Sequence, residues 1–288
     1  MPIYTDNPLE LPIFQFESLK NISGLAHAVS TRYAPKRPML PEVQPATPGD
    51  YRLAGRSIYI QREIITGRRS ELLTALGLDY REVQPNLVGV HQMHTANVRS
   101  IGKEAYGANL NWDNPIPECD GIITDCPGVP LMTIHADCPA ILLYDPVRKV
   151  AGTLHSGWRG TVGKIGLEGV RQMVTNFGSN PKDILAGIGP SIGPCCYQVG
   201  EPVLSEVQRA FGPELSAELL QKQPDDSFHF DLWQAIYQTL LEAGLAPDNI
   251  EQSQVCTLCQ REHFFSYRAT PQDQRHNYGQ FMALVMLT

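Results

Sequence analysis

Residue types that can do chemistry crowd into one stretch, His135–Gly160, which reads HADCPAILLYDPVRKVAGTLHSGWRG. Two apolar runs, Ala140–Tyr144 and Lys149–Leu154, are separated by Asp145-Pro146, a turn former, and read as buried strands. Paired as a hairpin, they bring Cys138, just before the first strand, beside His155, at the end of the second. A soft sulfur ligand and an imidazole then lie within reach of one ion. Arg159 follows on a glycine-flanked loop, where a backbone can approach a ligand closely.

A second imidazole would complete a three-ligand set, against the alternative that residues so far apart in sequence never meet. His94, in Gln92-Met93-His94, joins Cys138 and His155 as a two-His, one-Cys group of the kind that binds zinc and leaves a fourth position for water or substrate. Water in that position is acidified toward neutrality. His91 and His94 cannot share a face of an extended strand, because side chains three apart point to opposite sides. His135, close to Cys138, competes with His94 for the same place. A different chemistry uses the same residues: Cys138 as a covalent nucleophile with His155 as its base, in a hydrolase or amidase acting on amide or peptidoglycan-like substrates. A buried, inert Cys138 is the third reading. Cys256-x-x-Cys259 is half of a zinc-ribbon pattern without a second half. Cys195-Cys196 would supplement it only by a long-range coincidence, so these four, like Cys119 and Cys126, read as ordinary buried thiols. Arg32, Arg159 and Arg268 each sit beside a motif-like segment and are candidates for phosphate or carboxylate recognition.

The elements that must position these residues can be read along the chain. Residues 1–26 look like a lead-in, and Ala26–Ser30 like a strand. Five prolines between Pro35 and Tyr51 dictate an irregular loop. Arg69–Leu78 reads as a helix with Leu72, Leu73 and Leu76 on one face. Strands are expected at Asn86–Gln92, Asn97–Ile101, Asp120–Thr124, Val129–Ile134 and Ile184–Ile188. The spacing of Val162, Ile165, Val170, Met173, Val174 and Phe177 predicts one helix over Thr161–Phe177, whose N-terminus would add to Arg159 in attracting an anion. Further helices are expected at Pro202–Phe211 and at Leu232–Ala243, the latter capped by Asp231 and ended by Gly244. Closing strands are expected near Gln254–Thr257, Phe264–Tyr267 and Phe281–Leu287. Strands dominate and no linker appears, which predicts a single α+β domain with mixed sheets.

Composition sets the outer bounds. With 42% hydrophobic and 18% charged residues, the 288-residue chain falls in the ordinary globular range. A net charge of −7 argues against a general nucleic-acid binder. No apolar run reaches the roughly 20 residues of a membrane span, and the start lacks the pattern of a signal peptide. A cytoplasmic protein, monomeric or a small homo-oligomer, is expected. Seven cysteines, an odd number, then point to thiolate or metal chemistry rather than disulfides.

In order, Gln92-Met-His94, Asp120-Gly-Ile-Ile-Thr124, Ala136-Asp-Cys138-Pro139, His155-Ser-Gly-Trp-Arg-Gly160, Ile188-Gly-Pro-Ser-Ile-Gly-Pro-Cys-Cys-Tyr197 and Cys256-Thr…Phe264-Phe-Ser-Tyr-Arg268 resemble the polyphenol-oxidase/laccase-domain family, often described as zinc-dependent purine nucleoside phosphorylases. The resemblance runs from about Thr31 to the C-terminus. It implies a four-layer sandwich of mixed β-sheets between helices, related to Cys-His deamidating toxins. It also implies zinc on His94, Cys138 and His155. The implied activities are phosphorolysis of adenosine, inosine or methylthioadenosine, and deamination of adenosine. Copper-dependent phenol oxidation has been attributed to the family too, although multicopper chemistry needs several ligand clusters and only one is persuasive here. On this reading Cys138, His155 and Asp137 are catalytic candidates, with Asp137 or Asp120 handling a proton or orienting a metal-bound His. Arg32, Arg159 and Arg268 balance phosphate charge. The chain departs from the family at Ser156, where Ala is commoner, and across Gly55–Arg69, where a Gly-Asp…Asn-Arg pattern is not matched.

Overall fold

Alternation of side chains along the Phe281–Leu287 strand sets the layering. Phe281, Ala283, Val285 and Leu287 enter one core, while Met282, Leu284 and Met286 enter another on the opposite face, the period-2 pattern of a strand buried on both sides. The structure is a computed structural model that describes residues 2–33, 58–108 and 116–288, with backbone alone at 58–66, 274, 276 and 277. The Pro-rich loop expected over 35–51, and most of the Gly55–Arg69 segment, lie outside the residues and side chains so described.

Two six-stranded mixed sheets stack face to face. The first runs Ile3–Tyr4, Ile13–Phe14, Leu25–Ser30, Phe281–Leu287, Leu131–His135, Val88–Gly89 in spatial order. The second runs Ile250–Gln252, Leu185–Ile188, Ala140–Asp145, Val150–His155, Gly121–Thr124, Val98–Ser100. Phe14, Val29, Leu131, Leu142, Tyr144 and Ala283 fill the space between them. Leu72 and Leu73 of the Ile58–Ala75 helix cover the outer face of the first sheet. Val170 and Met173 of Ile165–Phe177, with Ile236 and Leu240 of Leu232–Glu242, cover the second. This is the expected α/β/β/α sandwich in one α+β domain. No described helix is long and apolar enough to cross a membrane.

Several expectations need correction. The lead-in is structural: Phe14, Phe16 and Leu19 are fully buried, and its two short strands extend the first sheet. The single helix over Thr161–Phe177 is two, Trp158–Val162 and Ile165–Phe177, broken where Lys164 turns left-handed at φ 58°. Arg159 therefore lies inside a short helix rather than ahead of a long one. Phe264–Tyr267 is buried at Phe264, Phe265 and Ser266 but is irregular rather than a strand, and Gln254–Thr257 contributes only an isolated bridge between Ser191 and Cys256. The helix expected at Pro202–Phe211 extends over Glu201–Leu219 through a kink at Gly212-Pro213. A small sheet of Gln198–Val199, Phe228–Phe230 and Leu220–Lys222 packs beside it. Its strands are too short for periodicity to reveal.

Candidate metal centre and active site

The hairpin forms as its sequence requires: Ala140 pairs with His155 and Asp145 with Val150. Cys138 thus sits at the same sheet end as His155. The ligand-capable atoms of His94, Cys138 and His155 all lie within 4.8 Å of one another. The rings of His94 and His155 meet edge to face, 4.9 Å between centroids. Tetrahedral zinc, with bonds of about 2.0–2.3 Å, holds its ligand atoms roughly 3.3–3.8 Å apart, so one ion spans this group with small side-chain shifts. His2Cys is a donor set for a borderline-soft divalent metal with one position left open. The residues fit such an ion.

Asp120 organises the centre. Its carboxylate accepts from the N–H groups of Met93 (3.1 Å), His94 (3.0 Å) and Thr95 (2.7 Å), from the Thr95 hydroxyl (2.8 Å) and from His155 Nδ1 (2.8 Å). A carboxylate only accepts, so His155 carries its proton on Nδ1 and turns Nε2 toward the centre. The same bonds hold His94 in the left-handed region, at φ 60°, a conformation that costs energy in a non-glycine residue and is kept by its surroundings. Burial alone would raise the Asp120 pKa; the His155 ring and the Thr95 donors outweigh it and bring it to about 2. Gly157 keeps the space clear: a Cβ there would stand 2.8 Å from His94 Cδ2 and 3.1 Å from Cys138 Sγ.

Without a cation the centre holds its own charge pair. Burial pushes the Cys138 thiol up, but the charge of His155 and hydrogen bonds from His155 and His94 bring it down to about 7. Burial likewise lowers His155, while the Cys138 thiolate and Asp120 raise it to about 9. His135 is excluded as a ligand: Nδ1 bonds the Cys138 carbonyl at 3.0 Å and Nε2 the Thr133 hydroxyl at 2.8 Å. Burial holds its pKa well below the usual range. His91 is exposed.

The centre stands between two clefts that share His94, Ala136 and Cys138. One, of about 310 Å³, is lined by His91, Gln92, Tyr278 and Gln280. The other, of about 440 Å³, is lined by Asp137, Arg159, Tyr197, Arg268 and Arg275, with Met93, Trp158 and Tyr267 adding apolar and aromatic surface. Arg159 stacks on Trp158, 4.1 Å from the ring centroid. Arg268 lies over Tyr197 and donates to the Gln198 carbonyl at 3.1 Å. Arg275, which no motif signals, lies over Tyr267. Asp137, left-handed at φ 84°, binds the Thr257 hydroxyl (2.6 Å) and the Arg268 N–H (2.7 Å) through separate oxygens. Burial raises its pKa, against the pull of those donors.

Arg32 corrects the sequence expectation. Its guanidinium donates to the Arg261 carbonyl and lies over the Phe265 ring, and it lines neither cleft. The reading of Cys195, Cys196, Cys256 and Cys259 as scattered buried thiols is corrected too. Their sulfurs lie within 4.8 Å of one another, with Cys195 and Cys259 exposed.

A mixed two-sheet sandwich carries a His2Cys group able to hold a metal ion beside an arginine-lined cleft. Residues 59–288 match the model of the multi-copper polyphenol oxidoreductase laccase family, and the chain belongs to it. A protein of Bacteroides thetaiotaomicron named purine nucleoside phosphorylase is 30% identical over 255 residues, 88% of this chain and 89% of its own. A protein of an unknown prokaryotic organism named adenosine deaminase RL5 is 31% identical over 201 residues, 69% of this chain and 74% of its own. The crystal structure of the Bacillus licheniformis hypothetical protein YfiH superposes with a TM-score of 0.82 at 26% identity, covering 100% of this chain and 99% of that one.

Proposed function

We propose that the chain is a zinc-dependent purine nucleoside phosphorylase that also deaminates adenosine, cleaving adenosine, inosine or methylthioadenosine with phosphate. The observation that carries the reading is the junction of the His94–Cys138–His155 centre with a cleft lined by Arg159, Arg268 and Arg275. Relatives named for both activities support it. A zinc ion on those three ligands would supply Lewis acidity beside the reacting atoms.

The chain's own residues supply the rest. Arg159 and Arg268, joined by Arg275, offer fork-shaped donors that match the oxygens of phosphate and offset its charge. Trp158, Tyr197 and Tyr267 offer aromatic faces against which a purine stacks. In phosphorolysis a phosphate oxygen forms a bond to C1′ of the ribose as the C1′–N bond to the base breaks, and the departing base takes up a proton. Asp137 is the one carboxyl among the described residues lining this cleft, and its raised pKa suits it to that proton transfer. Asp120 keeps His155 in the tautomer the centre needs. The free thiols support a reducing compartment, the cytoplasm, as its location.

The test is a paired one on freshly purified protein: metal content, and products from adenosine with and without phosphate. The reading expects a bound zinc, adenine and ribose 1-phosphate only when phosphate is present, and inosine with ammonia in its absence. Copper as the bound metal with turnover of phenols, or a metal-free protein inert to nucleosides and inactivated on amide substrates by thiol alkylation, would overturn it.

A further inference from the structure

Behind the arginine-lined cleft lies a cluster that the proposed reaction does not use. The loop after the Leu185–Ile188 strand ends in Cys195-Cys196, and the segment after Ile250–Gln252 carries Cys256-x-x-Cys259. A short parallel bridge closes the two together: Ser191 N–H donates to the Val255 carbonyl and Thr257 N–H to the Ser191 carbonyl, both at 3.0 Å. Residues 60 or more apart in sequence are thereby brought to one point. All four Sγ atoms lie within 4.8 Å of one another, with Cys259 Sγ 3.6 Å from that of Cys195 and 3.4 Å from that of Cys196. A disulfide would bring two sulfurs to about 2.05 Å, and all four are free thiols. Sulfurs around tetrahedral zinc, with Zn–S of about 2.3 Å, stand roughly 3.8 Å apart, close to this spacing. Gly193 N–H points at Cys256 Sγ, 3.3 Å away, a donor that favours a thiolate over a thiol.

We propose that Cys195, Cys196, Cys256 and Cys259 form a second, tetrathiolate site for a soft divalent cation, with zinc the metal that the donor set and geometry fit. Four protein ligands leave no open coordination position, so the site is structural rather than catalytic. Its place in the fold says what it holds. One loop carries Ile192 and Tyr197 to the cleft, the other leads to Tyr267 and Arg268. Both loops are also tied to Asp137, by Ile192 N–H to its carbonyl (2.9 Å) and by the Thr257 hydroxyl and Arg268 N–H to its carboxylate. A cation clamping the two loops fixes the residue beside Cys138 without touching substrate. The inference stands on the thiol geometry alone and does not depend on the nucleoside reading.

Full-length Cys138→Ala, which breaks the first centre, isolates the second. Wild type is expected to carry about two zinc ions per chain and Cys138→Ala about one. Cobalt exchanged into Cys138→Ala should give intense thiolate-to-cobalt charge-transfer absorption, and adding Cys259→Ser should remove both metal and spectrum. Because the serine variant could fail to fold, a second measurement uses Cys138→Ala alone. Its cluster thiols should resist a disulfide reagent until a chelator draws off the metal, and then react as the metal is released. A Cys138→Ala protein without metal, bound cobalt lacking thiolate charge transfer, immediate native-state reaction of the thiols, or a mass showing disulfides among them would each overturn the proposal.

Discussion

The two clusters of ligand-capable side chains are built on opposite principles. His155 ends a strand, Cys138 lies just before its hairpin partner and His94 sits on a loop between two strands, and their geometry is imposed by one buried carboxylate: Asp120 holds the backbone around His94 and the ring of His155 at once. Cys195, Cys196, Cys256 and Cys259 rest on two loops joined by a single bridge, two of them exposed. The first is a mixed nitrogen and sulfur set with room for a further ligand beside a cleft; the second is all sulfur and closed. Pre-organisation by the fold suits a centre that must hold its shape while substrates come and go. A cluster assembled from loops gains most of its order from the ion it binds.

The contrast breaks most sharply at Cys138. Cys138→Ala is expected to lower kcat/KM for nucleoside phosphorolysis by at least about 10³-fold, since it removes a ligand and the charge facing His155. Steady-state kinetics with adenosine and phosphate checks it, and near-wild-type turnover would place the chemistry elsewhere. A smaller effect sharpens the role of Asp120. Asp120→Asn keeps the shape but replaces one accepting oxygen with a donor facing N–H groups, and loses the charge that fixes the His155 tautomer. Metal affinity at the first centre should fall by about 10–100-fold, as for other partners of metal-bound histidines. Competition with a calibrated chelator measures it, and the tetrathiolate cluster should be unaffected. An unchanged affinity would mean that the strands and the loop alone orient the ligands.

What the sequence disclosed follows the same divide. The hairpin was legible because Asp145-Pro146 punctuates two buried runs, and its register places Cys138 beside His155. Helices such as Leu232–Glu242 were legible from a clear cap and apolar stripe, whereas the four-layer stacking came through resemblance to a family. The ligand role of His94 came through resemblance to a family, because nothing in its spacing separates it from His91 or His135. The structure separates them physically: His135 has both nitrogens committed, and Asp120 holds His94 in place. The tetrathiolate cluster was illegible because its halves are 60 or more residues apart and are joined by an isolated bridge between Ser191 and Cys256. The lead-in was misread because two-residue strands carry no period, and Arg32 because a charged residue at a strand end does not disclose which side of the neighbouring turn it will meet.

The subtlest expected difference lies in the response of the metal-free first centre to pH. The raised His155 contributes stability that is fully present below its unfolded pKa, about 6.5, and is lost as pH rises through about 9. The lowered Cys138 contributes stability that is present above its unfolded pKa, about 8.5, and is lost as pH falls through about 7. Over most of the range between 7 and 9 the folded protein holds thiolate and imidazolium, while the unfolded chain holds thiol and neutral imidazole. Both states bind the same number of protons, so the opposing slopes cancel and the pair adds little pH dependence there. Cys138→Ala removes one side of the balance. Burial is then opposed by Asp120 alone; if Asp120 by itself keeps His155 protonated, the variant's stability falls with rising pH relative to wild type. Denaturant unfolding of chelator-treated proteins at several pH values from 7 to 9 measures this as the difference between the two. A flat difference would show that Asp120 alone does not hold His155 protonated against burial, and that the Cys138 thiolate is what raises it.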